Sequence, residues 1–228
     1  DYLVPVSILK HGEQSIARFQ ECANQCAGSQ YIINFMSLSA IPTEKFSRLS
    51  LEEMSKSCET FAEREQAYLN LYRSNLLSDH QRYLTKVTVD EVVEIGGEKY
   101  LVVHLLANSF VYNQIRNMIS AIIAQTNELV PDDYISLLLG YPRYSLRPLL
   151  SPPNTLMIRT CGQHVPINDR LNRGLTMSHE ELHRRTDSFK RNVVYPHIQS
   201  IVSSSDIFQT FSSELQAHYE KLWDCDRY

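Results

Sequence analysis

Ser109-Phe110-Val111-Tyr112-Asn113-Gln114-Ile115-Arg116-Asn117-Met118 runs from an apolar, β-branched stretch into a helical one and carries a single charge, Arg116. Upstream, Tyr83 to Ile95 and Lys99 to Leu106 are rich in β-branched and aromatic residues and are separated by Gly96-Gly97. That pattern predicts two strands joined as a hairpin, because paired glycines supply the positive φ that tight hairpin turns need. Downstream, Ile115, Met118, Ile119, Ile122 and Ile123 recur at helical spacing, which predicts a helix over Phe110 to Gln125. Arg116 then falls in the first helical turn, where the helix dipole favours anions over cations. Local helix stability does not account for it, so the segment predicts a buried carboxylate or a phosphate facing the guanidinium.

Working outward, Tyr2 to Val6 reads as a short strand, and Glu13 to Ala27 as a helix with Ile16, Phe19 and Ala23 on one face. Ser37 to Thr43 reads as a loop and Leu51 to Asn75 as a polar helix, an insertion spanning about residues 44–80. Pro131 opens a helix that Gly140 ends. Thr155 to Cys161 reads as a strand and Gly162 to Thr176 as an irregular loop. Ser178 to Ser200 and Asp206 to Leu222 read as helices, the first with Leu182, Phe189 and Val193 on its apolar side.

The chain of 228 residues suffices for one or two domains, and no apolar run approaches a membrane span. Five cysteines, an odd number at irregular spacing, argue against a disulfide framework and for a reducing compartment. Cys22 and Cys26, four apart on the first helix, read as buried thiols. The net charge of −4 does not favour nucleic-acid binding, yet Tyr141 to Arg191 holds nine basic residues against four acidic ones. Such a run is either a solvated face or a local phosphate-binding surface. His179-Glu180-Glu181-Leu182-His183 satisfies the H-E-x-x-H zinc pattern, but its charged interior and the Arg184-Arg185 that follow read as the start of a solvated helix.

The opening segment resembles the S-F-x-x-H-Q-I-R-K-M motif of the TruA-type RNA pseudouridine synthases, most closely the eukaryotic tRNA pseudouridine synthase I group. Leu149-Leu150-Ser151-Pro152-Pro153-Asn154-Thr155-Leu156-Met157-Ile158 resembles that family's A-P-x-x-x-L-x-L stretch. Phe189-Lys190 through Val194-Tyr195-Pro196-His197-Ile198 resembles F-K-x-x-x-I-Y-P-x-I, and Gly28 to Phe35 resembles G-T-H-x-F-x-N-F. Asp1-Tyr2-Leu3-Val4-Pro5 is similar to the end of the R-T-Y-x-Y-x-x-P segment, with Tyr2 at the second Tyr. The chain departs from the pattern at Asn113 and Gln30, each in place of a His, and at Asn117 in place of a Lys. The R-T-D-x-G motif that carries the family's nucleophilic Asp does not occur; Arg184-Arg185-Thr186-Asp187 is followed by Ser188, and Asp187 reads as an exposed helical side chain.

The resemblance implies an α+β fold, an antiparallel or mixed sheet with helices on one side and a basic RNA cleft on the other. Residues 1–176 would form the C-terminal half of the catalytic domain, with 177–228 a helical extension and the nucleophilic Asp in an upstream segment. It implies isomerisation of uridine in tRNA or another structured RNA, with no metal or organic cofactor. Arg116 becomes the candidate partner of the catalytic carboxylate; Phe110, Tyr112, Leu156 and Ile158 become candidates for contact with the base. Arg143, Arg147 and Arg159 become candidate phosphate contacts. The expected partner is RNA, in the nucleus or mitochondrion and not at a membrane, with a partner chain or a missing N-terminal half covering the sheet edge. The alternative is a catalytically inactive RNA-binding or ribosome-assembly scaffold of the same fold.

Overall fold

The computed structural model describes residues 1–35, 81–140, 148–158 and 179–223, together with Glu63. The hairpin forms as its sequence predicts: β3 (Gln81–Ile95) and β4 (Glu98–Ala107) pair antiparallel, and Ile95 faces Glu98 across the turn. Gly96 and Gly97 take φ of 60° and 82°, conformations that strain any residue bearing a β-carbon. Two flanking strands, β1 (Tyr2–Pro5) on β4 and β2 (Gly28–Tyr31) on β3, complete a sheet of order β1-β4-β3-β2. Among the described residues all three pairings are antiparallel.

Two bulges interrupt β3, between Leu84 and Lys86 and between Val89 and Glu91. Each inserts a residue and so reverses which side chains face which side of the sheet. Leu84, Val87 and Val89 therefore face the larger apolar cluster, whereas Val93 and Ile95 face a second cluster on the opposite side. β4 continues without interruption between the two: Leu101, Val103 and Leu105 turn to the first, Tyr100 and Val102 to the second.

Helices α1 (Ile16–Gln25) and α2 (Gln114–Thr126) cover the first face. α1 buries Phe19, Cys22 and Ala23, with Cys26 following at its end, so both thiols lie in the core as their spacing predicts. α2 starts four residues later than the expected Phe110. Asn113 adopts φ 64°, the left-handed region, and the Val111 amide donates to Gln114 Oε1 at 3.0 Å, so the chain turns before it coils. α3 (Tyr134–Gly140) follows the turn at Pro131.

The C-terminal helices contribute to both cores. α4 (His179–Phe189) leads through a π-helical turn, Lys190–Val194, into α5 (Tyr195–Ser203). Pro196 stands just after that turn, and the wide π register accommodates both its missing N–H and the clash of its ring with the preceding turn. The extra residue rotates the buried face: Phe189 and Val193 are exposed, against expectation, and Lys190, Tyr195 and Ile198 are buried instead. α6 (Ile207–Trp223) sends Phe208, Phe211, Leu215 and Tyr219 into the larger core, where the Tyr134 and Tyr219 hydroxyls meet at 2.9 Å. Of the segment 177–228, expected as a helical extension, the described residues thus contribute side chains to both clusters. The face expected to be an open cleft is covered by α5 at the hairpin end.

The strand expected over Thr155 to Cys161 is described only as far as Ile158. Within the described residues it is one antiparallel bridge, Tyr2 to Leu156, with Leu3 N donating to Thr155 O and Met157 N to Asp1 O. The Pro152-Pro153 pair upstream limits it, because neither residue has an N–H to extend a ladder. Even so, this stretch lies along the outer edge of β1. The Ser37–Thr43 loop, the helical insertion at 44–80 and the Gly162–Thr176 loop lie outside the described residues, apart from Glu63. No helix among the described residues is long and apolar enough to cross a membrane.

The hairpin turn gives a direct test. A β-carbon on Gly97 meets nothing within 4 Å, whereas one on Gly96 overlaps the Gln199 side chain of α5. Gly97→Ala should cost about 1–2 kcal/mol from backbone strain alone. Gly96→Ala carries the same strain and also makes the flexible Gln199 side chain swing aside, so it should cost at least as much; a smaller loss than for Gly97→Ala in urea unfolding would count against the contact between the turn and α5.

Candidate functional site

Arg116 lies on the first turn of α2, half-buried, at the end of the first face nearest β1. Its Nε donates to the Ser151 carbonyl at 2.6 Å and its Nη1 to Asn113 Oδ1 at 3.3 Å. Among the described residues no carboxylate meets it. The anionic partner that the sequence predicts is absent there, and two neutral oxygens orient the guanidinium instead.

Tyr2 reaches the same place from β1. Side chains alternate along a strand, so Tyr2 points into the first core while Asp1 and Leu3 point to the opposite face. The Tyr2 phenol is fully buried and donates to the Pro152 carbonyl at 2.5 Å. Burial pushes its pKa up to about 12; the nearby Ser151 and Thr155 hydroxyls and the Arg116 charge offset part of that rise. Those two hydroxyls stand beside the phenol without reaching hydrogen-bond geometry, and both are buried without a partner. Ser120, one turn beyond Arg116 on the same helix, is a third such hydroxyl.

The other sequence candidates divide. Leu156, which bridges to Tyr2, is 39% exposed, and Ile158 is 80% exposed, so neither is the core residue that its apolar character suggests. Phe110 and Tyr112 lie in the segment leading into α2 and are 37% and 69% exposed. Arg116 and Leu156 are linked through Tyr2 and the 151–156 stretch; Phe110 and Tyr112 are linked to Arg116 by chain connectivity alone. Arg143, Arg147 and Arg159 lie outside the described residues, and of Gln30 only the backbone, on β2, is described. Asn117 is buried, and its Nδ2 donates to the Phe35 carbonyl at 2.9 Å. It thereby joins the Gly28–Phe35 block to the helix of Arg116. Asn34 Nδ2 donates in turn to the Leu138 carbonyl.

A second polar cluster, on the opposite face, has no counterpart in the sequence reading. The fully buried Asp1 carboxylate accepts from Lys190 Nζ at 2.5 Å and lies 3.0 Å from His104 Nδ1. Its commitment there explains why Asp1, next to Tyr2 in sequence, does not partner Arg116. A cavity of about 230 Å³ adjoins the cluster, lined in part by Asp90, Glu91, Asp187 and Arg191. Asp187 is exposed on α4, as its helical setting predicts. The alternation of Asp1 and Tyr2 along a strand was the one sequence signal for this arrangement. Of the basic run, Arg184 and Arg185 bond Glu181, Arg191 lies 3.7 Å from Glu91, and Lys190 is buried. These four are accordingly engaged with carboxylates. The described residues contain no group of three side chains suited to hold a metal.

No protein-family model matches the chain, and a search of curated proteins returned no match.

Two measurements test the site's energetics. Lys190→Met removes a buried cation from a buried carboxylate and should destabilise the fold by about 3–5 kcal/mol in urea unfolding; a loss under 1 kcal/mol would mean the pair is solvated. Tyr2 and Cys26 are both raised to about 12 by burial, so the folded state holds protons that the unfolded chain releases at lower pH. These two groups leave stability level from neutral pH to about 8 and make it fall as pH rises towards 12, with a shallower fall in Tyr2→Phe.

Proposed function

We propose that the chain belongs to an RNA pseudouridine synthase and that Arg116 marks its reaction centre. The observation that carries this reading is the convergence of three segments, far apart in sequence, on one guanidinium. Arg116 comes from the S-F-V-Y-N-Q-I-R-N-M block, Ser151 and Pro152 from the L-S-P-P-N-T-L block, and Tyr2 from the strand block, and hydrogen bonds join them. Each of those blocks resembles the same family in the same order. A half-buried Arg held by neutral oxygens is suited to meet an anion from outside the described residues.

The reaction breaks the N1–C1′ bond of uridine, turns the base, and forms a C5–C1′ bond; C5 loses a proton and N1 gains one. The base has to leave the RNA stack, and exposed Tyr112, Phe110 and Leu156 offer apolar and aromatic surface for it. The reaction needs a carboxylate that stays ionised in a poorly hydrated pocket, and a guanidinium beside it holds its pKa down. That carboxylate is not among the described neighbours of Arg116. The same fact favours the second reading, an inactive RNA-binding scaffold of this fold.

Tritium release from RNA carrying [5-³H]uridine separates them, because only C5 glycoside formation expels the C5 hydrogen. The protein should release tritium from structured cellular RNA, and Arg116→Ala should lower the rate about a hundredfold or more while RNA binding persists. Binding without release by the wild-type protein would favour the scaffold; undiminished release by Arg116→Ala would remove Arg116 from the centre.

A further inference from the structure

We infer that Tyr2 is a positioning residue for Arg116, acting through the adjacent carbonyls of Ser151 and Pro152. Its catalytic consequence rests on the pseudouridine synthase reading; its geometry does not.

The two carbonyls are consecutive, and each accepts one hydrogen bond from a different element: Ser151 O from Arg116 Nε of α2, Pro152 O from the Tyr2 hydroxyl of β1. Pro152 fixes the φ between the two carbonyls and Pro153 restricts ψ of Pro152 to the extended region, so the carbonyls have little freedom to turn independently. Beyond them the chain is fastened to β1 again, by Leu3 N on Thr155 O and Met157 N on Asp1 O, and Leu156 N closes a turn on Pro153 O. The phenol is thus the tie at the near end of a short, stiff strap whose first carbonyl aims the guanidinium. Among the described residues Arg116 has one other hydrogen bond, to Asn113 Oδ1 at 3.3 Å, and Asn113 sits in a left-handed turn. Without the strap, nothing else described fixes the Nε direction. Because the phenol stays protonated through neutral pH, it donates throughout the working range.

A structural tie and a positioning tie differ in what they change. If Tyr2 only fastens the strap to the sheet, its loss costs stability and leaves Arg116 where it was. If it positions Arg116, the Arg116 Nε–H itself responds, and turnover falls while RNA affinity does not. A shift of about 1 Å in a catalytic group can cost about a hundredfold, and a partial loss of restraint about tenfold.

The test uses the full protein with Tyr2→Phe, which keeps the ring and removes the hydroxyl. The Arg116 Nε–H resonance, identified by its absence in Arg116→Lys, should shift and exchange faster in Tyr2→Phe. Tritium release should show kcat down about tenfold with KM within twofold, and Tyr2→Phe should add little further loss in an Arg116→Lys background. An unshifted resonance and an unchanged kcat in a folded Tyr2→Phe protein overturn the inference. If that variant does not fold, Pro152→Ala reads the same linkage, because it frees the strap while keeping both donors; an unmoved resonance there also overturns it. If the wild-type protein releases no tritium, the proposed function fails, and the positioning role is then decided by the resonance alone.

Discussion

β4 is the constraint on which the rest of the structure depends. Its central residues are buried on both faces, Leu101 and Val103 in one apolar cluster, Tyr100 and Val102 in the other. A strand buried on both sides needs covering layers on both sides, so helices must pack on each face of the sheet. α1, α2 and α6 supply one cover and α5 the other. The bulges of β3 serve the same end, because they move its apolar side chains from the first cluster to the second as the hairpin leaves the shelter of α1.

The edge strand β1 turns this two-sided burial into chemistry. Asp1 and Tyr2 are neighbours in sequence and opposed in space. On one side a buried carboxylate draws in Lys190 and His104 and so fixes the π turn that docks α5. On the other side a buried phenol holds the Pro152-Pro153 strap whose preceding carbonyl orients Arg116. The two polar clusters are kept apart by the sheet between them, so the Asp1 carboxylate cannot neutralise Arg116. Among the described residues, that separation leaves the guanidinium with neutral hydrogen-bond partners.

What was legible locally was legible for local reasons. The hairpin, the Gly96-Gly97 turn, the helix of Ile119 and Ile122 and the burial of Cys22 and Cys26 follow from periodicity and backbone preference within a dozen residues. The apolar face of α4 failed because a π turn changes the period, and its cause lies in Pro196 and in the pull of Asp1 on Lys190 from 189 residues away. Over Thr155 to Ile158, the described part of the strand expected to Cys161, the pairing is a single bridge, because an extended, apolar stretch becomes a strand only to the extent that it finds a ladder. Leu156 and Ile158, the apolar candidates for contact with the base, have no element covering them among the described residues.

By itself, then, the sequence determined that the chain is a hairpin-centred α+β protein, that Arg116 stands at the start of a helix in apolar surroundings, and that its charge needs explaining. Those properties reside in pattern and in the conformational limits of Gly and Pro. Only the tertiary structure decided what Arg116 touches, which face Asp1 occupies and where the sheet edge ends, because hydrogen bonds between Tyr2, Arg116 and the 151–157 stretch join residues whose separation in the chain carries no signal of their proximity.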